Sequence, residues 1–178
     1  MTSTLSIEDV KSQIRAVPDF PKEGIIFRDI TTGIKNPETM KFMIDYLCDQ
    51  FSDFKIDYIA GIESRGFIFG MPMAYKMNCG FIPIRKPNKL PAETISESYG
   101  LEYGTDTIEI HADAIEKGTN VLIVDDLLAT GGTAAAAAHL VQKAGGNLVG
   151  MAFLIELKDL QGRKKLSDCG KIVSMLEY

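Results

Sequence analysis

Short apolar runs at residues 58–62, 81–84, 121–124 and 148–157 alternate with helical patterns at 67–77 and 133–143, and this alternation narrows the fold more than any other feature. A run such as Val121-Leu122-Ile123-Val124 has no polar side at period two, so both faces of its strand must be covered. Strands separated by helices pair in parallel, because the helix is the crossover that returns the chain to the same end of the sheet. The expected fold class is therefore α/β, an open parallel sheet flanked by helices, with residues 171–175 as a further edge strand. The 178 residues contain no repeat and no linker. A chain near this length buries roughly 70% of the surface it exposes when unfolded, so one domain over residues 1–178 is expected.

Ahead of the sheet, Ser6 and Asp9 have the spacing of a capping box, and Ile7, Val10, Ile14 and Val17 follow at intervals of three and four. They predict an amphipathic helix that ends at Pro18. Ile25-Ile26-Phe27 reads as a short extended piece. Asn36 and Pro37 open a second helix, with Met40, Met43, Leu47 and Phe51 along one face. Between Lys86 and Tyr103 a polar stretch with Pro87, Pro91 and Gly100 has no clear period and reads as a long loop over a site.

Nineteen basic residues against 24 acidic ones give a net charge of −5 and a pI of about 5.1. That balance argues against a general electrostatic grip on nucleic acid or on an anionic membrane, but not against a small anion held by a few aimed groups. Cys48, Cys79 and Cys169 are odd in number and far apart, which predicts buried free thiols in a reducing compartment. The first fifteen residues lack the apolar core of a signal peptide, and no run approaches the roughly 18 apolar residues of a membrane span. A cytoplasmic location is expected.

Ligands of open parallel sheets bind beyond the carboxyl ends of the strands, which directs the search to two turns. After the strand at 121–124 come Asp125 and Asp126, and then Ala129-Thr130-Gly131-Gly132-Thr133 at the start of a helix. Bare amides at the glycines, the threonine hydroxyls and the positive end of the helix together make a pocket for one phosphate group. Two carboxylates repel a phosphate, so the ligand must offer them something else, such as vicinal hydroxyls or a metal ion. A ribose 5-phosphate satisfies both halves. The second turn, Glu63-Ser64-Arg65-Gly66, supplies amides and a guanidinium for a more highly charged phosphate group, and Arg85, Lys86 and Lys89 follow the next strand. Neither Gly-x-x-x-x-Gly-Lys-Ser/Thr nor a Gly-x-Gly-x-x-Gly after a strand occurs. His111 and His139 form no metal-ligand pattern.

At these residues the chain resembles the type I phosphoribosyltransferases. Val121 to Thr133 matches their binding motif for 5-phosphoribosyl-1-pyrophosphate along its full length. Residues 24–30, Glu63 to Phe67, Arg85-Lys86-Pro87 with Lys89-Leu90-Pro91, and Leu101-Glu102-Tyr103-Gly104 are together similar to the branch of the family that acts on adenine. The resemblance implies transfer of ribose 5-phosphate to adenine, giving AMP and pyrophosphate, with Mg2+ held through substrate oxygens and water and with no direct protein ligand. It implies that Ala129, Thr130, Gly131, Gly132 and Thr133 hold the 5-phosphate and that Asp125 and Asp126 hold the ribose hydroxyls. Glu63, Ser64, Arg65 and Gly66 would hold the pyrophosphate, with Arg65, Arg85, Lys86 and Lys89 adding charge. Ile26, Phe27 and Arg28, in an N-terminal hood of about residues 1–35, would contact the base, with Leu157 on its other side. A lid of about residues 86–104 would carry Glu102 and Tyr103, Glu102 accepting a hydrogen bond from adenine N7–H. The resemblance also implies a homodimer. Asn88 stands where the family usually has Gly, a position Asn tolerates because it enters the left-handed region more readily than most residues. The alternatives are a transferase of this fold for guanine, hypoxanthine or xanthine, and a non-catalytic ligand-sensing regulator.

Overall fold

In the computed structural model, residues 5–100 and 104–178 are described. The chain divides into two compact units, Met1–Tyr46 and Leu47–Tyr178.

In the first unit Ser6 caps α1 (Ile7–Gln13). The Ser6 hydroxyl accepts the Asp9 N–H, and the Asp9 carboxylate accepts the Ser6 N–H at 2.9 Å. The helix stops five residues short of Pro18. Ile14 turns extended, and β1 (Arg15–Pro18) pairs antiparallel with β2 (Ile26–Asp29). The Ile14 and Val17 spacing fits a helix, but ladder bonds to β2 and the ion pair between Arg15 and Asp29 favour the strand. Bonds from Thr31 and Arg15 bring the Asp29 carboxyl down to about 2. A single turn, α2 (Thr31–Ile34), precedes α3 (Pro37–Asp49), whose first amides are accepted by the Asn36 side chain. Met43, Leu47 and, after the helix, Phe51 are fully buried, as their spacing predicts.

The second unit holds β3 (Tyr58–Ile62), α4 (Gly66–Met77), β4 (Gly80–Ile84), β5 (Thr94–Gly100), β6 (Thr105–His111), β7 (Asn120–Leu128), α5 (Gly132–Lys143), β8 (Asn147–Glu156) and β9 (Lys171–Glu177). Five strands form a parallel sheet in the order β4-β3-β7-β8-β9. Val121, Leu122, Ile123 and Val124 have no exposed surface, as a strand covered on both faces requires. On one face Ile62, Ile84, Val121 and Ile123 join Ala137 and Leu140 of α5 and Ile108 and Ile110 of β6 in one core cluster. The alanine run lets α5 approach closely. On the other face α4 presses so near that a Cβ on Gly70 would lie 2.8 Å from the Phe81 ring.

Three expectations change here. The stretch from Lys86 to Tyr103 is not loop throughout, because β5 pairs antiparallel with β6 from Thr94↔His111 to Gly100↔Thr105. Ile95 and Tyr99 pack on the core, while Glu97, at the intervening position of the same face, meets His139 and Lys143 of α5. With a charged residue inside the alternation, the period-two signal is hidden. The strand read as 121–124 runs on to Leu128, so Asp125 and Asp126 lie within it. Cys48, Cys79 and Cys169 are free thiols; Cys79 is half-buried rather than buried, and burial raises both its pKa and that of Cys169. Among the described residues no helix is long and apolar enough to cross a membrane.

Candidate active site

The strand order reverses direction at β3, with β4 on one side and β7 on the other, and a crevice opens at the carboxyl ends of such a pair. The β3–β7 ladder ends at Gly61↔Val124, whereas β7 continues along β8 to Leu128↔Glu156. Asp125 and Asp126 are thus the first residues of β7 past its partnership with β3. Arg65, in the turn after β3, spans the gap with Nε 2.9 Å from Asp126 Oδ2. Asp126 is only 5% exposed. Burial raises its pKa, and the Arg65 charge opposes that rise. Burial, followed by the negative charge of Asp126, pushes Asp125 well above the usual carboxylate range; the Asp126 N–H donates to Asp125 Oδ1 at 2.9 Å. Gly66 is needed where α4 begins, because a Cβ there would lie 2.6 Å from the Val124 carbonyl oxygen.

Ala129 to Thr133 form the turn into α5 and line a cavity of about 70 Å³ together with Asp125. Gly131 has φ +77°, and a Cβ on it would lie 2.4 Å from the Gly162 carbonyl oxygen. A Cβ on Gly162 would in turn lie 2.2 Å from the Ala129 carbonyl oxygen and 3.0 Å from the Gly131 nitrogen. The two glycines therefore hold the turn in shape from opposite sides. Gly162 has no motif of its own, and its only sequence signal is a glycine among Gln161, Arg163 and Lys164. A larger hollow of about 670 Å³ is lined by Tyr58, Gly80 and Thr119, at the amino ends of the strands and away from the carboxylates.

The third part of the site follows β4. Glu63 Oε2 accepts Arg85 Nε at 2.7 Å and the Lys86 backbone N–H at 3.0 Å. Burial pushes Glu63 up, but these bonds outweigh it and leave the carboxyl below its usual value. The Glu63 carboxylate thus holds Arg85 and the Lys86 backbone in place. The Lys86 ammonium donates to Asp106 and to Tyr99 Oη, and Tyr99 Oη donates to Asp106 at 3.1 Å. Lys89 is exposed, and Asn88 has φ +65°. The Glu63–Ser64 peptide is cis. Ser64 is exposed, and Leu157 is half-buried after β8 with its N–H donated to the Leu128 carbonyl. Ile26, Phe27 and Arg28 lie on β2 in the first unit. Glu102 and Tyr103 lie outside the described residues. Sequence reasoning did not single out Tyr99 or Asp106.

Beside this crevice, with Asp126 buried and Asp125 half-buried next to the Ala129–Thr133 turn, stand the comparisons with known proteins. Residues 35–177 match the phosphoribosyl transferase domain. The adenine phosphoribosyltransferase of a Cyanothece species is 62% identical over 170 residues, covering 96% of this chain and 99% of the relative; that of Trichodesmium erythraeum is 58% identical at the same coverage. The crystal structure of the Thermoanaerobacter pseudethanolicus adenine phosphoribosyltransferase superposes with a TM-score of 0.94 at 51% identity, over 97% of this chain and 100% of that one. The Saccharomyces cerevisiae enzyme, solved with an imino-altritol bisphosphate and adenine, gives 0.90 at 43% identity, over 96% and 98%. With a family model spanning most of its length and relatives matched nearly end to end, the chain belongs to the adenine phosphoribosyltransferase family.

Proposed function

We propose that the protein transfers ribose 5-phosphate from 5-phosphoribosyl-1-pyrophosphate to N9 of adenine, giving AMP and pyrophosphate in purine salvage. The observation that carries this reading is the meeting of Asp125, Asp126 and the Ala129–Thr133 cavity just past the end of the β3–β7 ladder. Ala129 to Thr133 hold the 5-phosphate, and the two carboxylates hold the ribose hydroxyls. Loss of pyrophosphate leaves positive charge on the ribose, which Asp125 and Asp126 stabilise through those hydroxyls, while Arg65, Arg85, Lys86 and Lys89 stabilise the leaving group. The amides of Glu63 to Gly66 add donors to the same anion.

The donor set fits a divalent ion carried by the substrate. Asp126 is engaged with Arg65 and Asp125 with the Asp126 N–H, so either carboxylate reaches Mg2+ most simply through water. When bound, the ion neutralises charge on the pyrophosphate oxygens. Ile26, Phe27 and Arg28, within a hood of about residues 1–35, and Leu157 contact the base. Glu102 accepts the adenine N7–H, keeping electron density at N9 for attack. Glu102 and Tyr103 belong to a lid of about residues 86–104 that excludes water from the ribosyl cation. With the hood and the lid, residues 1–178 act as one catalytic domain in the cytoplasm.

The protein works as a homodimer. Phe67, Ile68, Met71, Pro72 and Tyr75 make an apolar stripe on α4, with Met71 54% and Tyr75 90% exposed, and a patch of this kind marks an interface. Met71→Glu combined with Tyr75→Glu is expected to convert a dimer to a monomer in size-exclusion chromatography with light scattering; a monomeric wild type would reject the assignment.

The activity itself is tested by pyrophosphate release with each purine base in turn, in the presence of Mg2+ and phosphoribosyl pyrophosphate. Turnover with adenine is expected. A preference for an oxopurine, or no turnover with any base, overturns the reading.

A further inference from the structure

Lys86 is tied down at both ends. Its backbone N–H is fixed by Glu63, and its ammonium donates to Asp106 and, at 3.2 Å, to Tyr99 Oη. A lysine left to itself is a mobile point charge on a four-carbon stem. Here the charge is held by a closed triangle, because Tyr99 Oη accepts from Lys86 and donates to the same Asp106 oxygen that takes the ammonium. The other Asp106 oxygen accepts the Thr107 N–H at 2.8 Å, so the carboxylate cannot rotate without losing a bond. The Lys86 ammonium also lies 5.7 Å from the centre of the Tyr99 ring. An edge carbon of that ring is 3.4 Å from where a Cβ on Gly132 would stand. The Tyr99 ring thus lies beside the turn into α5 while its hydroxyl holds the lysine. Tyr99 and Asp106 face each other across the β5–β6 hairpin.

We propose that Asp106 is a positioning residue for the pyrophosphate group: with Tyr99 it fixes the Lys86 ammonium, directing one of its three hydrogens to the phosphate oxygens. The hairpin thereby sets where a lysine charge stands relative to the 5-phosphate turn. This rests on the transferase reading above, in which Lys86 meets pyrophosphate. Asp106 is otherwise a costly residue, a negative charge beside an anion site. Its bonds to Lys86, Thr107 and Tyr99 hold the carboxyl below its usual value, so the pair stays charged across the working pH range. On Lys86 burial disfavours the charge, and the bonds to Asp106 and Tyr99 outweigh it and raise the pKa.

The test is calorimetric titration of the full chain with Mg2+-pyrophosphate, which needs no base and no turnover. Asp106→Asn, which keeps the shape and an acceptor for Thr107, is expected to weaken binding by about 5- to 20-fold, and Tyr99→Phe by about 2- to 5-fold. Asp106→Asn in a Lys86→Met background is expected to add nothing. In kinetics the KM for phosphoribosyl pyrophosphate rises and kcat falls, because Lys86 also stabilises the leaving group, while the KM for adenine holds. Unchanged or tighter pyrophosphate binding in Asp106→Asn overturns the proposal, as does an effect that persists without the Lys86 amine or one that falls equally on both substrates. Failure of the transferase reading shows separately, as a wild type that binds pyrophosphate but turns over no base.

Discussion

Asp126→Asn is expected to lower turnover by about 100- to 1000-fold, the scale of losing one aimed electrostatic group in a site that develops charge. Asp126 is the buried partner of Arg65 across the gap between β3 and β7. The amide keeps the shape but neither balances the guanidinium nor favours a ribosyl cation. It also leaves Arg65 unbalanced. With the Arg65 side chain 39% exposed, solvent screens much of that loss, and because burial outweighs Arg65 and raises the Asp126 pKa, the net change in stability is small. Asp125→Asn should lower turnover as well but raise stability. Burial and the neighbouring Asp126 charge raise the Asp125 pKa above its ordinary 3.8. Between the unfolded and folded values the native protein keeps a proton that the unfolded chain has released, so stability falls as pH rises through that interval. Asn removes this slope while still accepting the Asp126 N–H. The melting midpoint of the ligand-free protein should therefore rise in Asp125→Asn, and the rise should widen with pH above the ordinary carboxylate range until the folded value is passed. An unchanged or lower melting midpoint in Asp125→Asn, or wild-type rates in either variant, would contradict the assignment of these carboxylates.

Gly131→Ala and Gly162→Ala should each raise the KM for phosphoribosyl pyrophosphate by 100-fold or so, and each should destabilise the fold by about 1–3 kcal/mol. In Gly131→Ala the new methyl meets the Gly162 carbonyl at 2.4 Å in a backbone that already has φ +77°. In Gly162→Ala it meets Ala129 and Gly131, and either backbone must shift out of the phosphate-binding shape. Gly145→Ala separates strain from site geometry. Gly145 has φ +89°, but its nearest neighbour is the flexible Lys117 side chain at 3.3 Å, so stability should drop while kcat/KM per folded molecule holds. Calorimetry and initial rates on the three variants decide the matter. If Gly162→Ala keeps its affinity for the substrate, Gly162 is not the support of the turn.

Features carried by local composition were legible in the chain. Val121-Leu122-Ile123-Val124 could only be a doubly covered strand, and the Asp-Asp pair before Thr-Gly-Gly-Thr pointed to the strand end and helix start where the structure has them side by side. What escaped depends on contacts distant in sequence. β1 was hidden because Ile14 and Val17 fit a helix equally well, and only pairing with β2 decides for the strand. β5 was hidden by Glu97, inward-facing yet charged, whose partners lie on α5. The bonds of the Glu63 carboxylate to Arg85 and Lys86, more than twenty residues on, likewise leave no trace in its own motif.

The pairing of β3 with β7 has a consequence for how the protein acquires activity. Tyr58 is registered with Val121, and the α4–β4 crossover and the whole β5–β6 hairpin lie between them in the chain. Neither strand can build the crevice with its local neighbours, since the Arg65–Asp126 bridge exists only after that long loop has closed. Closing a loop of this length is among the slower events of folding, because chain entropy is lost before the contacts reward it. Catalytic competence is therefore a property of the finished sheet, gained only once the β3–β7 pairing has closed.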